Sequence, residues 1–161
     1  MADVYLGLGS NLGDRVAHLA QAREAIAEQA GDILAASAIY DTAPWGPVLQ
    51  DNYLNQVIRV ATELAPGSLL GLLHGIERDA GRDRKSEIRY GPRTLDLDIL
   101  IYGSRAVNED GLTIPHPRIA ERAFVLVPLA EIAPDLALHG VPVRELLGRI
   151  DTSGVARYQP A

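Results

Sequence analysis

The run Thr94-Leu95-Asp96-Leu97-Asp98-Ile99-Leu100-Ile101 decides what kind of fold this chain takes. Side chains alternate along a strand, so Asp96 and Asp98 share one face. Leu95, Leu97 and Ile99 take the other face and belong in a core. Two carboxylates two residues apart repel each other unless a cation sits between them. Mg²⁺ suits such a pair, because it is hard, prefers oxygen, and is usually held by one or two carboxylates plus substrate phosphates. A solvent-facing edge strand with two incidental acids gives the same pattern.

Upstream of the acids lies a basic loop over residues 82 to 93. Arg78, Arg82, Arg84, Lys85, Arg89 and Arg93 account for six of the 15 basic residues of the chain. Gly81 and Gly91 hinge the loop, and Arg is the preferred partner for fork-like phosphate contacts. The composition also fits a solvated charged loop. An RNA reader would need aromatic platforms, and only 5% of the chain is aromatic, with Tyr90 the one ring in the loop.

Further outward the pattern is regular. Val4 to Gly9 reads as a strand around small residues, and Asp14 as the N-cap of a helix over Val16 to Ala27 that stops at Gly31. Ile33 to Tyr40 is a second strand. The segment Asp41 to Asp51 is a loop held by Pro44, Gly46 and Pro47. Tyr53 to Thr62 alternates as a strand. Pro66 opens a helix through Leu69, Leu73, Ile76 and Glu77. After the strand Leu95 to Tyr102 come a short strand Leu112 to Ile114, a corner at Pro115-His116-Pro117 and a turn at Arg118 to Arg122. Helices over Val125 to Ile132 and Val143 to Ile150 follow. The order β-α-β-β-α-β with helical decoration predicts an α+β domain with a mainly antiparallel sheet and helices on its faces.

Two further clusters carry polar chemistry. His116 sits between prolines, so its ring is aimed, and Arg118 and Arg122 follow it; a satisfied, partly buried histidine is the plain alternative. Tyr40-Asp41-Thr42-Ala43-Pro44-Trp45 and Tyr53-Leu54-Asn55 combine rings with an amide, the parts a flat heterocycle needs. Trp45 plugging the core edge and Asn55 capping a turn would explain the same residues.

Length and composition set the outer bounds. A chain of 161 residues, 47% hydrophobic and 22% charged, suits a single domain over residues 1–161. No run approaches the roughly 18 apolar residues of a membrane span. Without Cys there is no thiolate metal site. The net charge of −6 disfavours nucleic-acid and anionic-membrane partners. No basic-then-apolar signal opens the chain, so the expected location is the cytoplasm. No apolar stripe stands out, so a monomer is expected. P-loop, G-x-S-x-G and H-E-x-x-H motifs are absent, and Gly7-Leu8-Gly9 is only half of a dinucleotide fingerprint.

These residues lead to a Mg²⁺-dependent transferase acting on a polyphosphate. The order of the motifs also resembles a known family, the 6-hydroxymethyl-7,8-dihydropterin pyrophosphokinases. The matching runs are Gly9-Ser10-Asn11-Leu12-Gly13, Tyr40-Asp41-Thr42-Ala43-Pro44, Tyr53-Leu54-Asn55, Gly91-Pro92-Arg93-Thr94-Leu95-Asp96-Leu97-Asp98, Leu112-Thr113-Ile114-Pro115-His116-Pro117-Arg118 and Arg122-Ala123-Phe124-Val125-Leu126-Val127-Pro128-Leu129. The resemblance implies a ferredoxin-like core. It implies transfer of the β,γ-diphosphate of ATP to the pterin hydroxymethyl group, with AMP released, in folate biosynthesis. Asp96 and Asp98 would then hold two Mg²⁺ ions. Thr42, Pro44, Trp45, Tyr53, Asn55, Tyr90 and Phe124 would line the pterin pocket. Glu77, Arg82, Arg84, Arg93, Ile99, His116 and Arg122 would surround ATP.

On that resemblance Arg84 and Arg93 neutralise developing charge as an arginine-rich lid closes, and Asp98 takes the acceptor proton. His74, Tyr90 and Pro117 depart from the residues such enzymes often carry, and none of the three is a metal ligand. Another Mg²⁺-dependent phosphoryl or nucleotidyl transferase, a non-catalytic RNA-binding module and a degenerate nucleotide-binding regulator are the competing readings.

Overall fold

The computed structural model describes residues 1–43, 50–82 and 93–160. Its elements run β1 (Ala2–Ser10), α1 (Arg15–Gln29), β2 (Gly31–Ala36), β3 (Tyr40–Thr42), β4 (Tyr53–Thr62), α2 (Pro66–Asp79) and β5 (Asp96–Tyr102). The remainder comprises β6 (Val107–Glu109), β7 (Leu112–Ile114), a 3₁₀ turn (Ile119–Glu121), α3 (Ala123–Ile132), β8 (Ala137–Leu138), β9 (Val141–Pro142), α4 (Val143–Leu147) and β10 (Val155–Arg157).

β4 and β1 pair antiparallel at the centre of the main sheet. β5 pairs with the far side of β1. β2 and β3 pair with the far side of β4, and β10 adds outside β3. Every one of these pairings is antiparallel, and the core order is the expected ferredoxin-like one.

Local chemistry explains the helices. The Asp14 carboxylate accepts from Ala17 N at 3.1 Å and caps α1, whose Leu19, Ala22 and Ile26 point inward at helical spacing. Pro66 opens α2, and Leu69, Leu73 and Ile76 form its buried stripe. Both stripes pack on Val4, Leu6, Leu8, Leu54, Ile58, Val60, Leu97 and Ile99. The opposite face of the same sheet carries Tyr5, Val57 and Leu100, covered by Val125, Leu126 and Leu129 of α3 and by Val143 of α4.

Three expectations need correction. The predicted strand Ile33 to Tyr40 is two strands. Both lie along β4, but at Ser37 side chains take over part of the ladder: Ser37 N still donates to Val57 O at 2.9 Å, while Val57 N donates to Ser37 Oγ at 3.0 Å and Gln56 Nε2 to Ser37 O at 2.7 Å. Beyond β5 the expected short strand Leu112 to Ile114 is present as β7, and β6, β8, β9 and β10 add strands to it that were not expected. β6 pairs with β7 through Asp110-Gly111, and β8 with β9 through His139-Gly140, where both residues have positive φ. The last helix ends at Leu147 rather than Ile150.

Gly31 joins α1 to β2 with φ +154°, and a Cβ there would lie 1.9 Å from Ala61 O on the neighbouring strand. Backbone cannot yield as a side chain can. We expect Gly31→Ala to cost about 2–3 kcal/mol and to lower Tm by roughly 5–10 °C in calorimetry. An unchanged Tm would show that β2 moves freely against β4.

Candidate active site

β5 presents Leu97 and Ile99 to the α1–α2 core, with Leu95 just before it on the same side, as the alternation predicts. Asp96 and Asp98 therefore sit on the face covered by α3. Both are partly buried. Asp96 has a fixed neighbour: Arg82 Nη1 donates to Asp96 Oδ1 at 2.9 Å, to Glu77 Oε2 at 2.8 Å and to Leu95 O at 3.3 Å. Glu77, 1% exposed at the end of α2, also accepts from Leu97 N at 2.8 Å. One buried carboxylate thus ties helix, arginine and acid strand together.

The register of the sheet spreads this site sideways. Gly9 of β1 lies between Asp96 on β5 and Asn55 on β4, and Gly7 lies between Asp98 and Val57. The middle strand has no side chains on this stretch of the face. Asn55 and Asp96 are two strand spacings apart, about 10 Å, across a smooth floor. A Cβ on Gly9 would meet Asn55 Oδ1 at 2.8 Å and Tyr53 Cδ1 at 3.5 Å. On the far side Asn55 Nδ2 donates to Thr42 Oγ1 at 2.7 Å, and Thr42 is 2% exposed. Tyr53, Asn55 and Thr42 therefore form one polar wall and the acids form the other. In the sequence Gly7 and Gly9 read as small residues of a strand or as half of a dinucleotide fingerprint; glycine at every second position of an apolar strand marks close approach on one face.

The third wall comes from the segment after β7. His116 N donates to Leu100 O at 2.8 Å, which fixes the segment against β5. Arg118 N donates to His116 Nδ1 at 3.2 Å, so the neutral ring carries its proton on Nε2. Burial first, and the nearby Arg122 second, push the His116 pKa down to about 4. His116 is then a neutral donor at ordinary pH. Arg122 caps α3 and stacks on Phe124, its guanidinium 5.4 Å from the ring centre. Its Nε is buried and has no hydrogen-bond partner, the state of a donor that awaits an anion. A cleft of about 280 Å³ opens beside β5, lined by Asp98, Ile99 and His116 with Leu70 and His74 of α2 and Thr113 of β7.

Asn11, which the sequence alone gives no role, has one here. Its Oδ1 accepts from Arg93 N at 2.8 Å, and its N–H donates to Arg93 O at 3.1 Å. Its Nδ2 donates to Gln50 Oε1 at 2.7 Å and to Asp51 O at 3.1 Å. One amide joins the end of β1 to the two segments that return to the sheet before β4 and before β5. Pro44, Trp45, Arg84 and Tyr90 lie outside the described residues, as do residues 83–92 of the predicted basic loop over 82 to 93. Ile99 faces the α1–α2 core and reaches only the cleft beside β5; the other predicted site residues among those described lie on this face, at its rim or in the cluster that ties α2 to β5.

The donor set fits a divalent cation. Burial, and then the charge of Asp96, push the Asp98 carboxyl up to about 8, so a cation between the two acids would relieve the repulsion that ionising both creates. Among the described residues no group of three or more His, Asp or Glu could hold a metal alone. A cation there takes the rest of its shell from water and bound phosphate, as Mg²⁺ does.

Comparison with known proteins points the same way. A sequence model of the 7,8-dihydro-6-hydroxymethylpterin-pyrophosphokinase family matches residues 5–134. The chain is 49% identical over 160 residues to a 2-amino-4-hydroxy-6-hydroxymethyldihydropteridine pyrophosphokinase of Methylorubrum extorquens, covering 99% of this chain and all of that one. The protein of the same name from Bacillus subtilis is 45% identical over 129 residues, 80% of this chain and 76% of its own. Among solved structures, the HPPK-DHPS protein of Plasmodium falciparum with pterin and p-hydroxybenzoate superposes with a TM-score of 0.76 at 16% identity. That match covers 97% of this chain and 45% of the longer one, so this chain spans just under half of it. At that identity the likeness is one of fold.

The raised Asp98 pKa has a sign that can be checked. A carboxylic acid whose folded pKa exceeds its unfolded value of about 3.9 destabilises the metal-free fold as pH rises from about 4 to about 8. Asp98→Asn removes that loss. We expect the variant to melt about 2–8 °C above the parent at pH 8 in EDTA, with the gap closing toward pH 4. Equal Tm at pH 8 would mean that Asp98 ionises there without strain.

Proposed function

The chain belongs to the 7,8-dihydro-6-hydroxymethylpterin-pyrophosphokinase family, and on that footing we propose that its acid-lined face transfers the β,γ-diphosphate of ATP to the hydroxymethyl group of 6-hydroxymethyl-7,8-dihydropterin. The products are AMP and the pterin diphosphate, and the step serves folate biosynthesis. The observation that carries the placement is the row Asp96–Gly9–Asn55. It sets an acid pair and an amide wall about 10 Å apart over a floor without side chains.

Each residue then has a physical task. The Asn55 amide and the Thr42 hydroxyl offer hydrogen bonds to the edge of the ring, and Tyr53 and Phe124 flank its faces. Pro44, Trp45 and Tyr90 complete the pocket on this reading. Arg122 gives its unpartnered N–H, and His116 its Nε2–H, to phosphate oxygens. Arg93, held by Asn11, and Arg84 add charge where it develops in the transition state. Arg82 and Glu77 hold Asp96 in place, and Ile99 lines the nucleotide cleft. Diphosphate transfer asks for positioning and charge neutralisation more than for covalent help. Two Mg²⁺ ions held by Asp96 and Asp98 would screen the phosphates and acidify the acceptor alcohol. Asp98 stands beside the reacting group and receives the proton that the alcohol gives up.

Residues 1–161 act as one catalytic domain on this reading, since both apolar clusters flank a single sheet. All the named groups come from one chain, which suits a monomer. No helix among the described residues is long and apolar enough to cross a membrane. A cytoplasmic setting suits an ATP-consuming step of folate synthesis.

Product analysis tests the reading. With ATP, Mg²⁺ and 6-hydroxymethyl-7,8-dihydropterin, mass spectrometry should find AMP and pterin diphosphate, and neither with EDTA. ADP in place of AMP would overturn it. Asp98→Ala should reduce kcat by about 10³-fold or more while the pterin Kd changes little. Equal losses in both would reduce Asp98 to a binding group.

A further inference from the structure

Glu131 stands in the last turn of α3, where a carboxylate opposes the helix dipole. Its interactions lie elsewhere. Oε1 accepts from Tyr40 Oη at 2.5 Å, and Oε2 accepts from Ala38 N at 3.0 Å. Arg157 of β10 approaches the same carboxylate at 3.6 Å. Burial, and then the Glu131 carboxylate, hold the Tyr40 phenol above its ordinary pKa, so it remains a donor. One side chain therefore grips three elements: the break between β2 and β3, the start of β3, and the strand outside it.

This grip has a consequence two residues along. Tyr40 lies opposite Asn55 in the register, in the row that continues to Gly9 and Asp96. Thr42, the partner of the Asn55 amide, is in the same three-residue strand. Phe124 and Arg122 lie at the other end of α3, about 10 Å away at 1.5 Å per residue. α3 is locked by its own core residues, with Leu126 and Leu129 fully buried. β3 is only three residues long, and its backbone pairs with β4 and β10 alone. If the grip is released, β3 is the element that shifts, and the gap between the Thr42–Asn55 wall and the Phe124 wall changes.

We propose that Glu131, acting through Tyr40, is a positioning residue that sets the width of the acceptor pocket, a role that rests on the diphosphate transfer assigned above. It touches neither substrate. It fixes where the hydroxyl of Thr42 stands, and so how the flat ring is held for attack.

The test is steady-state kinetics with each substrate varied in turn, alongside thermal melts. Glu131→Ala should raise the KM for the dihydropterin about tenfold, the effect expected when charged hydrogen bonds are lost, and leave the KM for ATP within about twofold. Glu131→Gln keeps one acceptor oxygen, so its KM should fall between those of the parent and the alanine variant. Tyr40→Phe removes a hydroxyl and keeps the ring; it serves if Glu131→Ala does not fold, and should raise the pterin KM about threefold. Ile26→Val, in the core on the other face of the sheet, is the control for lost stability alone.

A lower Tm with both KM values unchanged, or a pterin KM raised as much by Ile26→Val, would overturn the positioning role while the transfer reading stood. A parent protein that makes no AMP would overturn both. A selective rise in pterin KM, graded from Gln to Ala, supports the proposal.

Discussion

The carboxylate of Glu77, 1% exposed at the end of α2, cannot stay charged there without partners. It has them: the Arg82 guanidinium at 2.8 Å and the amide of Leu97 at 2.8 Å. Removing one member of such a pair strands the other and costs about 3–5 kcal/mol. The same arginine reaches Asp96, so the structural anchor and the edge of the acid pair share one cation. The position of β5 against α2, and of Asp96 on β5, therefore depends on this contact.

The rest of the site follows from the two faces of one sheet. One face is filled by α1 and α2 and holds the larger apolar cluster. Among the described residues the other is covered only in part, because α3 and α4 lie over Tyr5, Val57 and Leu100 and not over the stretch around Gly7 and Gly9. An antiparallel sheet tolerates one incompletely covered face. A parallel sheet, buried on both sides, would leave no such floor.

Asp98 and His116 show what partial burial does. Both lose solvation, and both respond by favouring the neutral form. The acid goes up to about 8 and the imidazole down to about 4. A pair poised in this way is a poor choice for stability alone and a good one for taking up cations and phosphate. The buried Arg122 N–H without a partner belongs to the same pattern. Strain of this kind collects where a ligand relieves it.

Periodicity and end signals read locally were enough for most of the core. The alternation in Leu95 to Ile99, the cap at Asp14 and the proline at Pro66 each act within a few residues, so they are visible in one dimension. They were enough for the order of the core elements and for the face shared by Asp96 and Asp98. The missed strands β6, β8 and β9 had local turn signals beside them too, at Asp110-Gly111 and His139-Gly140. Other features had no local signal. The break after Ala36 lies where Ser37 O accepts from the Gln56 amide and Ser37 Oγ accepts from Val57 N across strands. The reach of Asn11 to Arg93 and Gln50 spans 82 and 39 residues. The grip of Glu131 on Tyr40 spans 91. Which glycine lies between which acid and which amide is a matter of register. Chain order states what groups a protein owns, and only the pairing of distant strands decides which of them meet.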